Sequence, residues 1–305
     1  MAKVLICDRL DDEGVELLRK EGHEVDVKLN LTPQQLQETV TDYDAVIVRS
    51  RTKITSNIID AMQKTRIIAR AGTGLDNIDV AAAEKRKITV LNSPEAVAQS
   101  AAELTLGLMF SLARQIPQAD ALTKQGKWPK GQLEGHQLAG KTLGIVGIGR
   151  IGAKVALVAK ALGMRIFAYD VARYEQLERE LGVEWVPLDR LLKEADVVSL
   201  HLPLTSETKG IISGEQLALM KPTTLLVNAA RGGLVDEQAL LEALSNGRLA
   251  GAALDVYEVE PPVNMKLLQL PNFISTPHIG AQTVEAQKKA SVTIAQKVRD
   301  ALRSL

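Results

Sequence analysis

Cysteine is almost absent from this chain. Cys7 is the only one in 305 residues, which excludes a framework of disulfide bonds within the chain. It lies in the apolar run Val-Leu-Ile-Cys, where we expect a buried, unreactive thiol. The His, Cys and Asp residues also lack the spacing of metal ligands, so the sequence predicts no metal site.

An excess of charge of either sign is lacking too. The chain has 37 basic and 37 acidic residues, which gives no indication of a nucleic-acid or acidic-membrane partner. The first apolar run, Val4–Cys7, is too short for a signal peptide. The longest apolar-rich helix, predicted near residues 96–113, is a poor membrane span because polar residues interrupt it. We therefore expect a cytoplasmic protein with no membrane partner.

Three glycines mark the most informative stretch. Gly147, Gly149 and Gly152 follow an apolar run, precede a predicted helix and have the spacing G-x-G-x-x-G. In this strand–turn–helix context the first glycine allows a tight turn, the second lets the backbone approach a pyrophosphate, and the third lets the helix pack on the strand. The unpaired N–H groups of the helix N-terminus then attract the anion. The motif predicts dinucleotide binding.

Asp170 strengthens this interpretation. It ends the next predicted strand and lies 18 residues after Gly152. The acid that binds the ribose hydroxyls is expected about 20 residues after the motif. Because a carboxylate there repels a 2′-phosphate, the sequence favours NAD over NADP.

Short apolar runs alternate with helical patterns along the whole chain, which predicts βα units and parallel sheets. Long helices are predicted over 95–114 and 283–303, with a shorter one over 118–125 and a loop over 126–141. The predicted strands are 4–7, 25–27, 45–48, 67–69 and 88–91 in a first block, and 142–146, 165–169, 197–200, 224–227, 250–254 and 272–275 in a second.

The order of these blocks predicts a discontinuous first domain. Six strands complete a nucleotide-binding domain before the last helix, so we expect that helix to pack back on the first block. The predicted fold is α/β, with two Rossmann-like, doubly wound parallel-sheet domains. The nucleotide-binding domain, 95–282, is inserted into a flavodoxin-like substrate domain, 1–94 plus 283–305. We expect a small ligand to bind between the two.

Oxidation of a hydroxy acid requires a base for the hydroxyl proton and a cation for the carboxylate. Arg231 follows a predicted strand and can bind a carboxylate with its planar fork. His278 follows the last predicted strand and can take and return a proton near neutral pH. A carboxylate would orient it, and residue type alone leaves three candidates open: Asp255, Glu258 and Glu260.

Four stretches carry a family resemblance: Gly-Ile-Gly-Arg-Ile-Gly at 147–152, Val-Asn-Ala-Ala-Arg-Gly-Gly at 227–233, Ala-Leu-Asp-Val-Tyr-Glu-Val-Glu-Pro-Pro at 253–262 and Thr-Pro-His-Ile-Gly-Ala at 276–281. With them the chain resembles the D-isomer-specific 2-hydroxyacid dehydrogenases. The resemblance implies that Arg231 binds and polarises the substrate, that Glu260 orients the base, and that His278 is the acid–base. It also implies a homodimer built on the nucleotide-binding domains.

Within that family, residues 48–53, 69–79, 100–105 and 112–119 resemble the branch that oxidises D-3-phosphoglycerate to 3-phosphohydroxypyruvate, the entry to serine synthesis. An Arg-Ser-Arg cluster at a strand end also suits a dianionic phosphate. The resemblance implies six substrate-binding residues: Arg49, Ser50, Arg51, Arg70, Gly72 and Gly74. It places NAD against Thr73, Gly147, Gly149, Arg150, Ile151, Gly152, Asp170, Leu202, Ala229, Asp255, Gly280 and Ala281.

Two other functions stay open at this point. The same chemistry serves glyoxylate, hydroxypyruvate or another D-2-hydroxy acid. An NAD-sensing binding protein is the alternative of another class, because the family includes transcriptional corepressors that retain the same three residues. Since the chain ends near its last predicted helix, we expect a short form without the C-terminal regulatory domains of longer relatives.

Overall fold

The computed structural model describes residues 1–304, which form two compact units. Unit 1 comprises Met1–Ala98 and Ala281–Leu305, and unit 2 comprises Gln99–Gly280. Each unit contains one parallel sheet covered by helices, which confirms the predicted α/β fold class.

Unit 1 is built on a five-stranded sheet. Its strands are β1 (Lys3–Ile6), β2 (Glu24–Val27), β3 (Ala45–Val48), β4 (Ile67–Arg70) and β5 (Thr89–Asn92). Its first helices are α1 (Asp12–Lys20), α2 (Pro33–Thr39), α3 (Ser56–Ala61) and α4 (Val80–Lys85). The strand order β2-β1-β3-β4-β5 is the flavodoxin-like one. The strands are short and apolar, and β3 is buried along its whole length, as expected for a parallel sheet with both faces covered.

Unit 2 begins within a helix that the sequence placed at 95–114. This helix, α5 (Pro94–Ala113), is followed by α6 (Ile116–Lys124). The predicted start of α6 at residue 118 is wrong by two residues, because Pro117 occupies the first turn of the helix, where its missing N–H costs nothing. Of the helices described, α5 alone is long and apolar enough to cross a membrane, but 61% of that apolar stretch is buried in the protein.

The sheet of unit 2 has seven strands where six were predicted. They are β6 (Thr142–Val146), β7 (Arg165–Tyr169), β8 (Glu184–Trp185), β9 (Val197–Leu200), β10 (Leu225–Asn228), β11 (Gly251–Leu254) and β12 (Phe273–Ser275). Their order is β12-β11-β10-β9-β6-β7-β8, the doubly wound nucleotide-binding order with one added edge strand. The missed strand is β8, whose two residues pair with Phe167 and Ala168 and are too few to form an apolar run.

The remaining helices of unit 2 are α7 (Arg150–Ala161), α8 (Glu175–Leu181), α9 (Leu188–Glu194), α10 (Gly214–Leu219), α11 (Glu237–Ser245) and α12 (Met265–Leu268). The last helix, α13 (Val284–Arg303), belongs to unit 1 and packs against α1. A glycine permits this close packing, since a Cβ on Gly14 would lie 2.3 Å from Oγ of Ser291. The Ser291 hydroxyl donates a hydrogen bond to the carbonyl of Asp11 at 2.9 Å.

Candidate active site

The glycine motif lies at the carboxyl end of β6, at the start of α7. Gly147 has φ +92°, and a Cβ there would come within 2.8 Å of the Leu202 side chain. A Cβ on Gly152 would lie 2.5 Å from the carbonyl oxygen of Gly147. At Gly149 a Cβ would meet open space within the described chain, and no side chain of residues 1–304 caps α7 there. The backbone N–H groups at the start of α7 thus face an approachable surface.

Asp170 lies beside this loop, just after β7. Its carboxylate accepts hydrogen bonds from the backbone N–H of Ile148 at 2.9 Å and of Ala172 at 3.2 Å. The carboxylate predicted to bind the ribose is therefore hydrogen-bonded to the turn predicted to bind the pyrophosphate. Together the open turn, the helix N-terminus and this carboxylate fit a dinucleotide. Two other residues predicted to contact the cofactor, Leu202 and Ala229, follow the neighbouring strands β9 and β10.

His278 and Glu260 form a pair in unit 2. The ring atom Nδ1 of His278 lies 2.8 and 3.0 Å from the two carboxylate oxygens of Glu260. Both side chains are about half exposed, with 44% of His278 and 40% of Glu260 accessible. Of the three acids that the sequence left open, Glu260 is the one that meets the histidine. The backbone N–H of Glu258 instead bonds to the carboxylate of Glu237 at 2.7 Å, and burial raises the pKa of Glu237.

Asp255 holds the loop that carries His278. It is fully buried, and its Oδ1 accepts hydrogen bonds from the Thr276 hydroxyl at 2.6 Å and the Ile279 N–H at 2.8 Å. Its Oδ2 accepts from the N–H of Gly280 at 2.9 Å, and its carbonyl oxygen accepts from the N–H of His278 at 2.8 Å. His278 itself has φ +53°, a left-handed conformation that is uncommon for residues other than glycine. Asp255 thus stabilises an unusual backbone conformation at the histidine.

Arg231 follows β10, whose neighbour in the sheet is β11. The side chain of Asn228, almost fully buried, shapes its loop by donating to the carbonyl of Arg231 at 2.8 Å and accepting from the N–H of Ala230 at 3.0 Å. A Cβ on Gly232 would lie 1.8 Å from the carbonyl oxygen of Tyr257, so only glycine allows the two loops to approach this closely. The arginine loop and the loop of Glu260 are therefore packed together within unit 2.

A second histidine lies near the glycine turn but differs from His278 in its surroundings. Nε2 of His201 lies 2.9 Å from the hydroxyl of Ser199. Desolvation lowers the pKa of His201 from 6.5 to about 4, so the ring is neutral at pH 7. Because a Cβ on Gly147 would come within 2.9 Å of the backbone of His201, this residue forms part of the wall behind the turn.

The substrate-binding residues predicted in unit 1 lie at the end of β4, as Arg70 does, or on the loops that follow β3 and β4. Arg49 donates from Nη1 to the carbonyl of Arg9 at 3.2 Å, and burial lowers the pKa of its guanidinium, which still remains charged. Arg51 bonds instead to the side chain of Asn30. Arg70 forms an ion pair with Asp76 at 3.5 Å. Each of the three arginines thus bonds to a different partner.

The side chains of Asp8, which is buried, and Asn77, which is half-buried, fix the Arg49 loop, and neither was predicted from the sequence. Asp8, just after β1, accepts from the N–H of Arg49 at 2.6 Å, from the N–H of Thr52 at 3.2 Å and from the Thr52 hydroxyl at 2.8 Å. Asn77 donates to the carbonyls of Arg49 at 2.8 Å and Thr52 at 2.6 Å. A polar residue directly after an apolar run in the sequence was the available signal for Asp8, as it was for Asn228.

The other residues of unit 1 that were predicted to bind substrate or cofactor have contacts of their own. Gly72 donates its N–H to the hydroxyl of Ser93 at 3.0 Å, and the hydroxyl of Thr73 is buried with no hydrogen-bond partner in residues 1–304. Ser50 is exposed and Gly74 is half-buried on the same two loops. Ala281 follows directly on unit 2 and accepts a hydrogen bond from Gln287 at 2.5 Å.

Comparison with known proteins shows the family. Residues 106–280 match the D-isomer specific 2-hydroxyacid dehydrogenase, NAD binding domain. The chain belongs to this family. Its cofactor is accordingly NAD, which the residues around the glycine turn of unit 2 fit.

Several relatives of this dehydrogenase family match almost the whole chain. The D-3-phosphoglycerate dehydrogenase of Methanocaldococcus jannaschii is 48% identical over 99% of the chain and 58% of the relative. The hydroxypyruvate reductase of Thermotoga maritima is 48% identical over 97% of each protein. The crystal structure of a glyoxylate reductase from Paecilomyes thermophila has a TM-score of 0.91 at 33% identity and covers 99% of this chain and 95% of that one. The chain thus spans little more than half the length of the first relative.

Proposed function

We propose that the chain catalyses the NAD-dependent oxidation of D-3-phosphoglycerate to 3-phosphohydroxypyruvate. The observation that best supports a dehydrogenase is the pair formed by Nδ1 of His278 and Glu260 at 2.8 Å, on a loop packed against that of Arg231. The relatives named D-3-phosphoglycerate dehydrogenase, 43–48% identical over nearly the whole chain, support the substrate. In this proposal unit 1 binds the substrate and unit 2 binds NAD.

The tautomer of His278 follows from its partner. Since Nδ1 faces a carboxylate, which only accepts, Nδ1 carries the hydrogen and donates it to Glu260. Nε2 is left with a lone pair and takes the hydroxyl proton of the substrate. The C2–H bond breaks with its electron pair, and the C2–O bond becomes a carbonyl. NAD, when bound, supplies the acceptor for that hydride. Glu260 then stabilises the imidazolium.

Arg231 anchors the substrate in the same scheme. Its guanidinium binds the carboxylate through two parallel hydrogen bonds and polarises the C2 oxygen. We assign the other end of the substrate to six residues of unit 1: Arg49, Ser50, Arg51, Arg70, Gly72 and Gly74. The contacts that we propose for NAD outside the glycine turn are Thr73, Asp170, Leu202, Ala229, Asp255, Gly280 and Ala281.

Substitution of the proposed base tests this assignment. His278→Ala should lower turnover by roughly 10²–10⁴-fold, the usual contribution of a general acid–base, while NADH binding stays close to that of the unchanged protein. Turnover is measured from NADH formation and cofactor binding from the quenching of tryptophan fluorescence. His136→Ala, an exposed histidine in the loop before β6, is the matched control. A His278→Ala protein with undiminished turnover would contradict the mechanism.

A second candidate function is the reduction of hydroxypyruvate or glyoxylate. The Thermotoga maritima hydroxypyruvate reductase favours it, because that relative and this chain cover 97% of each other. Comparing kcat/KM for 3-phosphohydroxypyruvate, hydroxypyruvate and glyoxylate distinguishes the two. A preference for the phosphorylated acid supports our first proposal, whereas a preference for either unphosphorylated acid supports the second.

We also propose a homodimer that forms through unit 2 and resides in the cytoplasm. Large apolar side chains are exposed on and after α5, with 38% of Phe110, 50% of Ile116 and 81% of Trp128 accessible. A groove of about 550 Å³ in the same unit is lined by residues of α5, the start of α6 and the edge strand β12. An exposed apolar surface of this kind suits a second copy of the chain. Light scattering after size exclusion, on the unchanged protein and on Phe110→Ser, tests the dimer, and cell fractionation tests the location.

A further inference from the structure

Unit 1 contains a small pocket at the carboxyl end of its sheet. Its volume is about 260 Å³. This is below the roughly 300–1,000 Å³ of pockets for drug-sized ligands, so it suits a small chemical group. The polar residues that line it are Arg9, Asp11, Asp12, Arg49, Gln282 and Gln287.

The pocket lies at the point of the sheet where ligands are expected. Arg9 belongs to the connection after β1, and Arg49 to the connection after β3. The two strands are neighbours in the order β2-β1-β3-β4-β5. In this order the connections on either side of β1 and β3 diverge, which opens a crevice beyond the carboxyl ends of these strands.

Two arginines line this pocket. Arg49 is half-buried and bonds to the backbone carbonyl of Arg9, so the two residues are adjacent. The side chain of Arg9 is exposed and makes no hydrogen bond or ion pair with any other residue of 1–304. The backbone of Arg49 is fixed by Asp8 and Asn77, so one of the two cations is preorganised.

Two acids oppose an anion at the same place. Asp11 caps α1 by accepting a hydrogen bond from the N–H of Glu13 at 3.1 Å, and Asp12 lies in the first turn of the helix. Their negative charges raise the free energy of any anion in the pocket. The positive charges of both arginines are therefore needed to offset this repulsion, and the three terminal oxygens of a phosphate can accept hydrogen bonds from two guanidinium groups at once.

We propose that Arg9 and Arg49 together bind the phosphate group of the substrate, and that Arg9 determines the preference for phosphorylated over unphosphorylated 2-hydroxy acids. This inference rests on the proposed function, since it assigns one end of the same substrate. It adds Arg9 to the residues predicted from sequence and pairs it with Arg49 across two neighbouring strand ends.

Kinetics of Arg9→Gln test the proposal. The substitution removes the guanidinium but keeps the carbonyl that Arg49 bonds, so the fold should be retained. We expect KM for 3-phosphohydroxypyruvate to rise on the order of tenfold to a hundredfold, the range of one lost charge-assisted contact. KM for hydroxypyruvate should change by less than about twofold, because that acid has no phosphate. Arg19→Gln, which removes an exposed arginine of α1 paired with Glu16, is the matched control.

The outcomes separate this inference from the proposed function. If the unchanged protein turns over the phosphorylated acid and Arg9→Gln alters neither KM, or alters both equally, the inference is overturned and the proposed function stands. If the unchanged protein does not turn over the phosphorylated acid, the proposed function fails. Calorimetry with inorganic phosphate then tests whether the pocket binds a phosphate group. Phosphate binding that Arg9→Gln weakens and Arg19→Gln does not would then support the inference, and absence of binding would overturn it.

Discussion

Asp8 in unit 1 and Asp255 in unit 2 have the same position and the same kinds of partner. Each lies within two residues of the end of a strand of a parallel sheet, is buried, and accepts hydrogen bonds from two backbone N–H groups and one threonine hydroxyl of a neighbouring loop. The loop that Asp8 holds carries Arg49, and the loop that Asp255 holds carries His278. Both units thus use a buried carboxylate to fix the backbone beneath a side chain for which we propose a role in the reaction.

The difference lies in how the donors are divided between the two oxygens. Oδ2 of Asp8 accepts both N–H groups, and its Oδ1 accepts only the hydroxyl of Thr52. At Asp255 each oxygen accepts at least one N–H, from Ile279 on Oδ1 and from Gly280 on Oδ2. A hydroxyl can reverse its role and accept, but an N–H cannot. An amide side chain can therefore replace the carboxylate in unit 1 and cannot do so in unit 2.

Asp255→Asn should have the largest effect. Whichever way the amide is turned, its NH₂ group faces a backbone N–H, which is then buried without an acceptor. We expect a loss of roughly 3–5 kcal/mol in the free energy of unfolding. Because the loop of His278 loses its support, turnover should fall about a hundredfold, the cost of a displacement of about 1 Å.

Urea unfolding followed by tryptophan fluorescence measures this loss, since Trp128 and Trp185 both belong to unit 2. Asp236→Asn is the matched control, because Asp236 caps α11 and asparagine caps helices equally well. An Asp255→Asn protein as stable as this control would show that the division of donors between the oxygens is unimportant.

Acid should also distinguish the two units, with a smaller effect. The lowered pKa of His201 in unit 2, about 4 against 6.5 in the unfolded chain, means that between these values the unfolded chain binds a proton that the folded one does not. The free energy of unfolding therefore falls as pH decreases through this range, by about 2 kcal/mol at pH 4.5. In unit 1, desolvation and the N-terminal amine lower the pKa of His23, while nearby acids oppose the shift.

Thermal unfolding at pH 7.5 and pH 4.5 checks this prediction. His201→Gln cannot take up the proton and should lose most of the difference between the two pH values. His23→Gln should retain it when tryptophan fluorescence of unit 2 is the signal. Equal pH dependence in the unchanged protein and in His201→Gln would exclude this histidine as the source.

The nucleotide-binding turn of unit 2 could be predicted from the sequence, but the partner of His278 and the role of Arg9 could not. The glycine spacing with Asp170 predicted the nucleotide turn, because backbone requirements at Gly147 and Gly152 are local. Residue type alone could not decide whether Asp255, Glu258 or Glu260 is the partner of His278, because the answer depends on the directions of three side chains in one loop. Arg9 was missed because a single arginine in a βα connection forms no pattern. Its neighbour Arg49 is 40 residues away along the chain.

Asp8→Asn should have the smallest effect and gives the sharpest test of the comparison. The amide oxygen keeps both N–H groups, from Arg49 and Thr52, and the amide NH₂ donates to the Thr52 hydroxyl, which turns to accept. We expect less than about 1 kcal/mol of lost stability and a turnover close to that of the unchanged protein. Asp79→Asn, which replaces an exposed cap of α4, is its control. Asp8→Ala, by contrast, leaves all three donors without their acceptor, so it should loosen the Arg49 loop and raise KM for the phosphorylated substrate with little change in kcat. If Asp8→Asn behaves like Asp8→Ala, the charge of the carboxylate matters at this position, and the geometry of its acceptors does not explain the difference between the two units.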